Sequence, residues 1–168
     1  MKKIIFSIFI LFAGCSQTDQ TTKWYEETKA EILRQSDMKA DSSSLEYNED
    51  STFNRESFYL KGHKFRLIGS DTNGGIGLET HYSKDGNFEL RREVCENGTF
   101  RFEGIYYINK FYGLSTWSYC DGRPSQQGVR YKSEKIGIWK DWDETGKLTE
   151  EKDFGKKEKL DSMPQINK

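Results

Sequence analysis

Turn signals recur through the second half of this chain at one fixed interval. Asn73-Gly74, Asp85-Gly86, Asn97-Gly98, Asn109-Lys110, Asp121-Gly122, Ser133-Glu134 and Thr145-Gly146 place their second residues at 74, 86, 98, 110, 122, 134 and 146, twelve apart each time. Asn-Gly and Asp-Gly suit tight hairpin turns because those turns need positive φ. Between them lie short aromatic and β-branched runs of strand-forming type. Phe100 and Phe102 alternate with Thr99, Arg101 and Glu103, as in a strand with one buried face. Strands joined by a turn every twelve residues predict a mainly β chain: a single antiparallel meander of hairpins over residues 58–155, with about eight strands. Lys147 to Phe154 is the expected last strand. Its charges suit an edge that discourages further pairing.

The glycines sharpen this into a repeat. Six of them stand at 104, 113, 122, 128, 137 and 146, and shifting the first three by 24 gives the last three. Apolar positions follow the same shift: Ile105 with Val129, Tyr107 with Tyr131, Tyr112 with Ile136, Leu114 with Ile138. The repeating unit is two strands and two turns. Upstream the pattern is worn. Gly74 and Gly98 keep the phase, while Thr80 and Glu89 replace the other two glycines.

The segment from Tyr131 through Gly137, Trp139, Trp142 and Gly146 to Leu148 resembles the MORN-repeat variant of bacterial YwqK-type proteins: an aromatic, a short turn, Gly, Trp, another aromatic, then Gly and an aliphatic. Tyr107, Gly113, Trp117, Tyr119 and Gly122 match it less closely in the preceding copy. The resemblance implies an elongated sheet of stacked hairpins. It also implies an antitoxin or immunity role, since many members of that family are assigned to toxin–antitoxin modules.

Ahead of the repeats, Thr22 to Met38 is the one good helix candidate, with Trp24, Tyr25, Thr28, Ile32 and Leu33 on one side. Asp37 to Asn54 is rich in Asp, Ser, Glu and Asn and reads as a mobile linker. Residues 15–57 are therefore expected to be an anchor, a short helix and a tether, and residues 156–168 a charged tail.

The first fourteen residues have the parts of a secretory signal. Lys2 and Lys3 precede an apolar run of about ten residues, Ile4 to Ala13, and the chain turns polar after Cys15. The run is shorter than the about 20 residues a membrane-spanning helix needs. Leu11-Phe12-Ala13-Gly14-Cys15 resembles the bacterial lipobox, with Phe12 where a smaller aliphatic residue is usual. The resemblance implies cleavage before Cys15 and lipidation of its sulfur. The other reading is an ordinary cleaved signal with a chance cysteine. Ser16 follows Cys15, and by resemblance to lipoprotein sorting this favours the outer membrane, facing the periplasm.

Hydrophobic residues make up only 34% of the chain but aromatic ones 14%, and the formal net charge is -1. There is no basic stripe of the kind nucleic-acid binding wants. The only histidines are His63 and His81, and no Cys or His neighbour gives zinc-ligand spacing. Asp71 to Gly77 is glycine-rich but lacks the lysine of a phosphate loop, so a hairpin turn is the better reading. No nucleophile–base arrangement is legible, and no cofactor or metal is expected.

Cys95 and Cys120 pull two ways. Two cysteines in an exported chain usually pair. In a flat meander, however, they fall near the same end of next-but-one strands, roughly 9.6 Å apart, beyond the roughly 7 Å that a disulfide spans between Cα atoms. Strong coiling or a displaced intervening strand would restore the bond.

A sheet without a second layer must leave aromatic surface exposed, or cover it with the Trp24 helix or a partner, and exposed apolar patches mark interaction sites. The expected function is a lipid-anchored, non-enzymatic binding protein of the envelope that occludes a cognate toxin. Tyr107, Tyr112, Trp117, Tyr119, Tyr131 and Trp142 are the expected partner-binding residues, with repeat packing as their plainer role. The rival is a structural envelope lipoprotein that binds a cell-wall or membrane component. A small hydrolase with an unreadable site is a third reading.

Overall fold

The computed structural model describes residues 16–71, 73, 75–155 and 162–167. One helix, α1 (Ser16–Ser36), precedes ten strands: β1 (Ser42–Tyr47), β2 (Phe53–Leu60), β3 (His63–Asp71), β4 (Ile76–Tyr82), β5 (Phe88–Val94), β6 (Phe100–Tyr107), β7 (Lys110–Ser118), β8 (Pro124–Tyr131), β9 (Glu134–Trp142) and β10 (Leu148–Asp153). The strands form one antiparallel sheet in simple sequence order, β1 to β10. Six of the seven turn signals fall at hairpin connections, and Asn73 of the seventh lies between β3 and β4. The shortest connections, Lys61-Gly62, Ile108-Asn109 and Lys132-Ser133, have positive φ at both residues, as a two-residue hairpin turn demands.

The 24-residue repeat is visible in the ladder. Between β6 and β7 the register shifts from Glu103↔Thr116 to Ile105↔Tyr112. Between β8 and β9 it shifts from Gln127↔Lys140 to Val129↔Ile136, the same four positions moved by 24. Gly113 and Gly137 sit inside the two bulges with φ of 77° and 61°, a backbone conformation that side chains disfavour.

The expected linker is corrected. Residues 42–47 are strand β1 and Phe53 opens β2, so the sheet begins sixteen residues before 58 and has ten strands. β1 is a polar edge held by its ladder with β2, from Ser42↔Tyr59 to Tyr47↔Asn54. It needs no buried face, so it carries no apolar alternation. The helix is also longer than expected at its start and ends two residues sooner, at Ser36.

Helix α1 packs on one face of the sheet. Thr21, Tyr25, Thr28, Ile32, Gln35 and Ser36 are buried at helical spacing. Tyr25 and Ile32 form the core with Phe88, Leu90 and Ile105, joined by Trp24, Leu33, Tyr107 and Leu114. Within the expected charged tail, residues 162–167 reinforce this layer. Met163 is buried and Ile166 packs on the core. Trp24 Nε1 donates to Pro164 O at 2.8 Å, and Gln35 Nε2 donates to Asn167 O at 2.9 Å.

A charged network lies under the helix. Glu103 accepts from Lys29 Nζ (2.6 Å), Tyr25 OH (2.8 Å) and Arg92 Nε (2.8 Å). Arg92 Nη1 reaches Glu79 at 3.3 Å, and Arg66 Nη2 donates to Glu79 at 2.8 Å. Burial raises the Glu103 carboxyl, but Lys29, Tyr25 and Arg92 outweigh it and hold the group below the ordinary range. Every buried charge in this layer thus has a partner, the condition under which burying it is tolerable.

Candidate functional site

The opposite face carries no helix among the described residues, and its side chains cover it differently. Aromatic rings take the space beside glycines: Phe53 at Gly69, Phe111 at Gly104 and Trp139 at Gly128. Cations then stack on the rings. Arg91 is 4.0 Å from the Tyr106 ring, Arg130 lies 5.5 Å from Phe111 and 5.0 Å from Trp139, and Lys135 lies 4.1 Å from Trp139. Each such contact contributes about 0.5–2 kcal/mol. The result is that Trp139 is fully buried and Phe111 is only 4% exposed without a second layer of secondary structure. The expected exposed aromatic face is therefore largely roofed by the stems of Arg and Lys.

The roof is interrupted at one end of the sheet, where the β5–β6, β7–β8 and β9–β10 turns gather. An open cleft of about 700 Å³ is lined by Arg101, Trp117, Tyr119, Gln126, Asp141 and Trp142. A second, of about 530 Å³, is lined by Gly77, Glu93, Val94, Asn97 and Arg101. Cys120 lines both, and Cys95 lines the second.

Cys95 and Cys120 are disulfide-bonded, with Cα atoms 5.7 Å apart. This corrects the spacing argument. The intervening strand β6 makes its last ladder pairs at Val94↔Phe100 and Phe102↔Trp117, so both cysteines lie past its paired region. There no strand separates the two turns, and they can close on one another. The turns are laced further: Asn97 Nδ2 donates to Cys120 O at 2.6 Å, and Tyr119 OH donates to Trp142 O at 2.9 Å. Arg123 holds the Asp121 carboxyl at the tip of the β7–β8 turn below its ordinary range.

The six expected partner-binding residues fall into two groups. Trp117, Tyr119 and Trp142 frame the larger cleft. Tyr107, Tyr112 and Tyr131 lie on the helix side in a run of edge-on rings, with Tyr112 only 6% exposed and Tyr131 OH 2.9 Å from Ser162 Oγ. Their rings pack on one another there, the plainer role expected of them. Alternation fixes which positions share a face, but it does not say which face the helix will take. Arg101, Gln126 and Asp141 were missed as lining residues. Gln126 Nε2 donates to Asp141 Oδ1 at 2.6 Å across β8 and β9. The register Phe102↔Trp117↔Gln126↔Asp141 links them.

The fold also brings together Ser36, His81 and Glu79. Ser36 Oγ is 2.8 Å from His81 Nδ1, and His81 Nε2 lies 3.1 Å from Glu79 Oε1, off the line of a regular hydrogen bond. The serine proton is directed at Leu33 O, at 3.2 Å. Ser36 and His81 are buried under the last turn of α1, and neither cleft touches them. The trio ties the end of α1 to β4. Among the described residues, no three His, Cys, Asp or Glu side chains are placed to hold a metal ion. Cys15 lies outside the described residues. No protein-family model matches the chain, and no curated protein matches it.

Proposed function

We propose that this chain is a lipid-anchored envelope protein that acts as a non-enzymatic, immunity-type binding protein and occludes a cognate toxin with the face of the sheet opposite α1. The observation that carries this reading is the asymmetry of the sheet. One face is filled by α1 and residues 162–167. The other offers Trp117, Gln126 and Asp141 in an open cleft that reaches Tyr119 and Trp142 at the end of the sheet, beside turns that a disulfide holds in place. Pre-set aromatic side chains are the usual anchors of protein interfaces, and a rigid frame lowers the entropy lost on docking. The disulfide also fits an oxidising compartment, in keeping with the export-like leader and the Cys15 lipobox resemblance.

The test is deletion of the gene followed by challenge with the product of a neighbouring toxin gene, with binding of the purified pair measured in parallel. The deleted strain should be killed where the parent survives, and a stable complex should form without modification of the toxin. Equal survival together with no complex would replace this reading with a structural envelope role.

A further inference from the structure

The cations on the face opposite α1 are out of balance with their neighbours. Arg130 on β8 stands directly opposite Lys135 on β9, and like charges facing each other across a strand pair repel. Both stack on the same Trp139 indole. Lys152 on β10 stands opposite Trp139 and stacks on Phe154 at 5.1 Å. Arg91, further along this face, has Glu89 at 2.7 Å. Among the described residues, Arg130, Lys135 and Lys152 have no such carboxylate, whereas Lys140 pairs with Glu151. Arg130 Nη1 donates to Ser133 O at 2.7 Å, while its buried Nε has no partner. Burial pulls this guanidinium below the ordinary arginine range, as expected of a charge desolvated without a counterion.

Rings and a backbone carbonyl therefore hold three cations in position without neutralising them. They stand on three adjacent strands, roughly 10 Å across, with Lys152 opposite Trp139 and so offset along β9 from the Arg130–Lys135 pair. A single compact anion would touch only part of such a group. An extended run of acidic side chains would match it, and a guanidinium is suited to grip a carboxylate through two parallel hydrogen bonds. We infer that Arg130, Lys135 and Lys152 dock a carboxylate-rich segment of a protein partner. This inference rests on the reading that this face binds a protein, and it names the chemistry that partner must present.

The test uses the full-length protein in detergent and a ten-residue poly-L-glutamate peptide, followed by calorimetry and tryptophan fluorescence. Binding should be saturable and should weaken as salt is raised. The variant Arg130→Gln/Lys135→Gln/Lys152→Gln should bind at least tenfold more weakly. Lost repulsion and lost stacking on Trp139 act on its melting temperature in opposite directions, so affinities are compared only between preparations whose circular dichroism and melting show the folded state. If that variant fails to fold, Lys152→Glu on the exposed edge strand carries the test, with the same loss expected. Three results would each overturn the inference: no saturable binding, equal affinity in the variants, or tighter binding of inorganic phosphate or phosphatidylglycerol vesicles than of the peptide. Expression of the triple variant in the deleted strain separates the two claims. If the deletion has no phenotype, the protective reading fails. If the triple variant protects as well as the parent, this inference alone fails.

Discussion

The indole of Trp139 lies directly on the backbone of Gly128, in the space that a Cβ at residue 128 would occupy. Trp139 Nε1 donates to Val129 O at 3.1 Å, which fixes the ring against β8. Trp139 is fully buried, so its ring cannot move aside without exposing apolar area. Gly128→Ala should therefore destabilise the protein by at least the about 1–3 kcal/mol typical of overpacking. Urea unfolding followed by tryptophan fluorescence checks this. Gly104→Ala, beneath Phe111, should behave alike.

The same pairing shows how far the sequence could be read. The 24-residue shift equates Gly104 with Gly128, and in the structure both floor an aromatic ring. The twelve-residue phase continues upstream to Gly62, in the β2–β3 turn, and to Asp50, in the β1–β2 turn. It was hidden there because Ser42 to Tyr47 lacks apolar alternation. The Cys95–Cys120 disulfide was legible as one of two open readings; strand spacing spoke against it because spacing describes the paired ladder, whereas both cysteines lie beyond it. The division of the six aromatics was hidden for another reason. The side taken by α1 is set by long-range packing of Tyr25 and Ile32 on Phe88, Leu90 and Ile105, which no local pattern records.

The Cys95–Cys120 bond closes a loop of sequence separation 25. Cross-linking a loop of that size stabilises by about 3 kcal/mol through the unfolded chain. Cys95→Ala/Cys120→Ala should lower stability by about that amount, and reduction of the parent should do the same. Thiol labelling of the folded, unreduced protein should leave both positions unmodified.

Stability should fall in acid through the network beneath α1. His81 holds the Glu79 carboxyl down to about 2, aided by Arg66, while burial acts in the opposite direction. A carboxyl with a depressed folded pKa contributes stability above its unfolded pKa and loses it as pH falls through the folded one. The loss should therefore run from about pH 4.5 down towards 2, with Glu103 contributing in the same direction. Glu79→Gln leaves Arg66 and Arg92 without that charge. It should cost about 3 kcal/mol at neutral pH and flatten the acid limb of a melting-temperature profile.

If Cys15 carries a lipid, Cys15→Ser should abolish metabolic labelling with palmitate and move the protein from the membrane to the soluble fraction. One acyl chain gives only marginal anchoring, so a fully membrane-bound parent would mean more than one. An unlabelled parent that fractionates like the variant would refute the lipid anchor.

Trp142 and Tyr112 separate binding from packing. Tyr112 is buried between the Tyr107 and Tyr131 rings, so Tyr112→Ala should lower stability by about 3 kcal/mol or more, as for other buried aromatics. Any loss of partner affinity should follow only from unfolding. Trp142 is half-buried on the cleft wall, and the hydrogen bond that ties it to Tyr119 uses its backbone carbonyl. Trp142→Ala keeps that bond, so the melting temperature should stay close to that of the parent. Affinity for the partner should fall by about 2 kcal/mol, the scale of an interface hot spot. Trp117 stands between these cases. Its ring is 4.5 Å from Phe102, so Trp117→Ala should cost both stability and affinity. Melting temperature and dissociation constant must be measured on the same three preparations. If Tyr112→Ala lost affinity without losing stability, or Trp142→Ala lost stability without losing affinity, the partner would have to be placed away from this cleft.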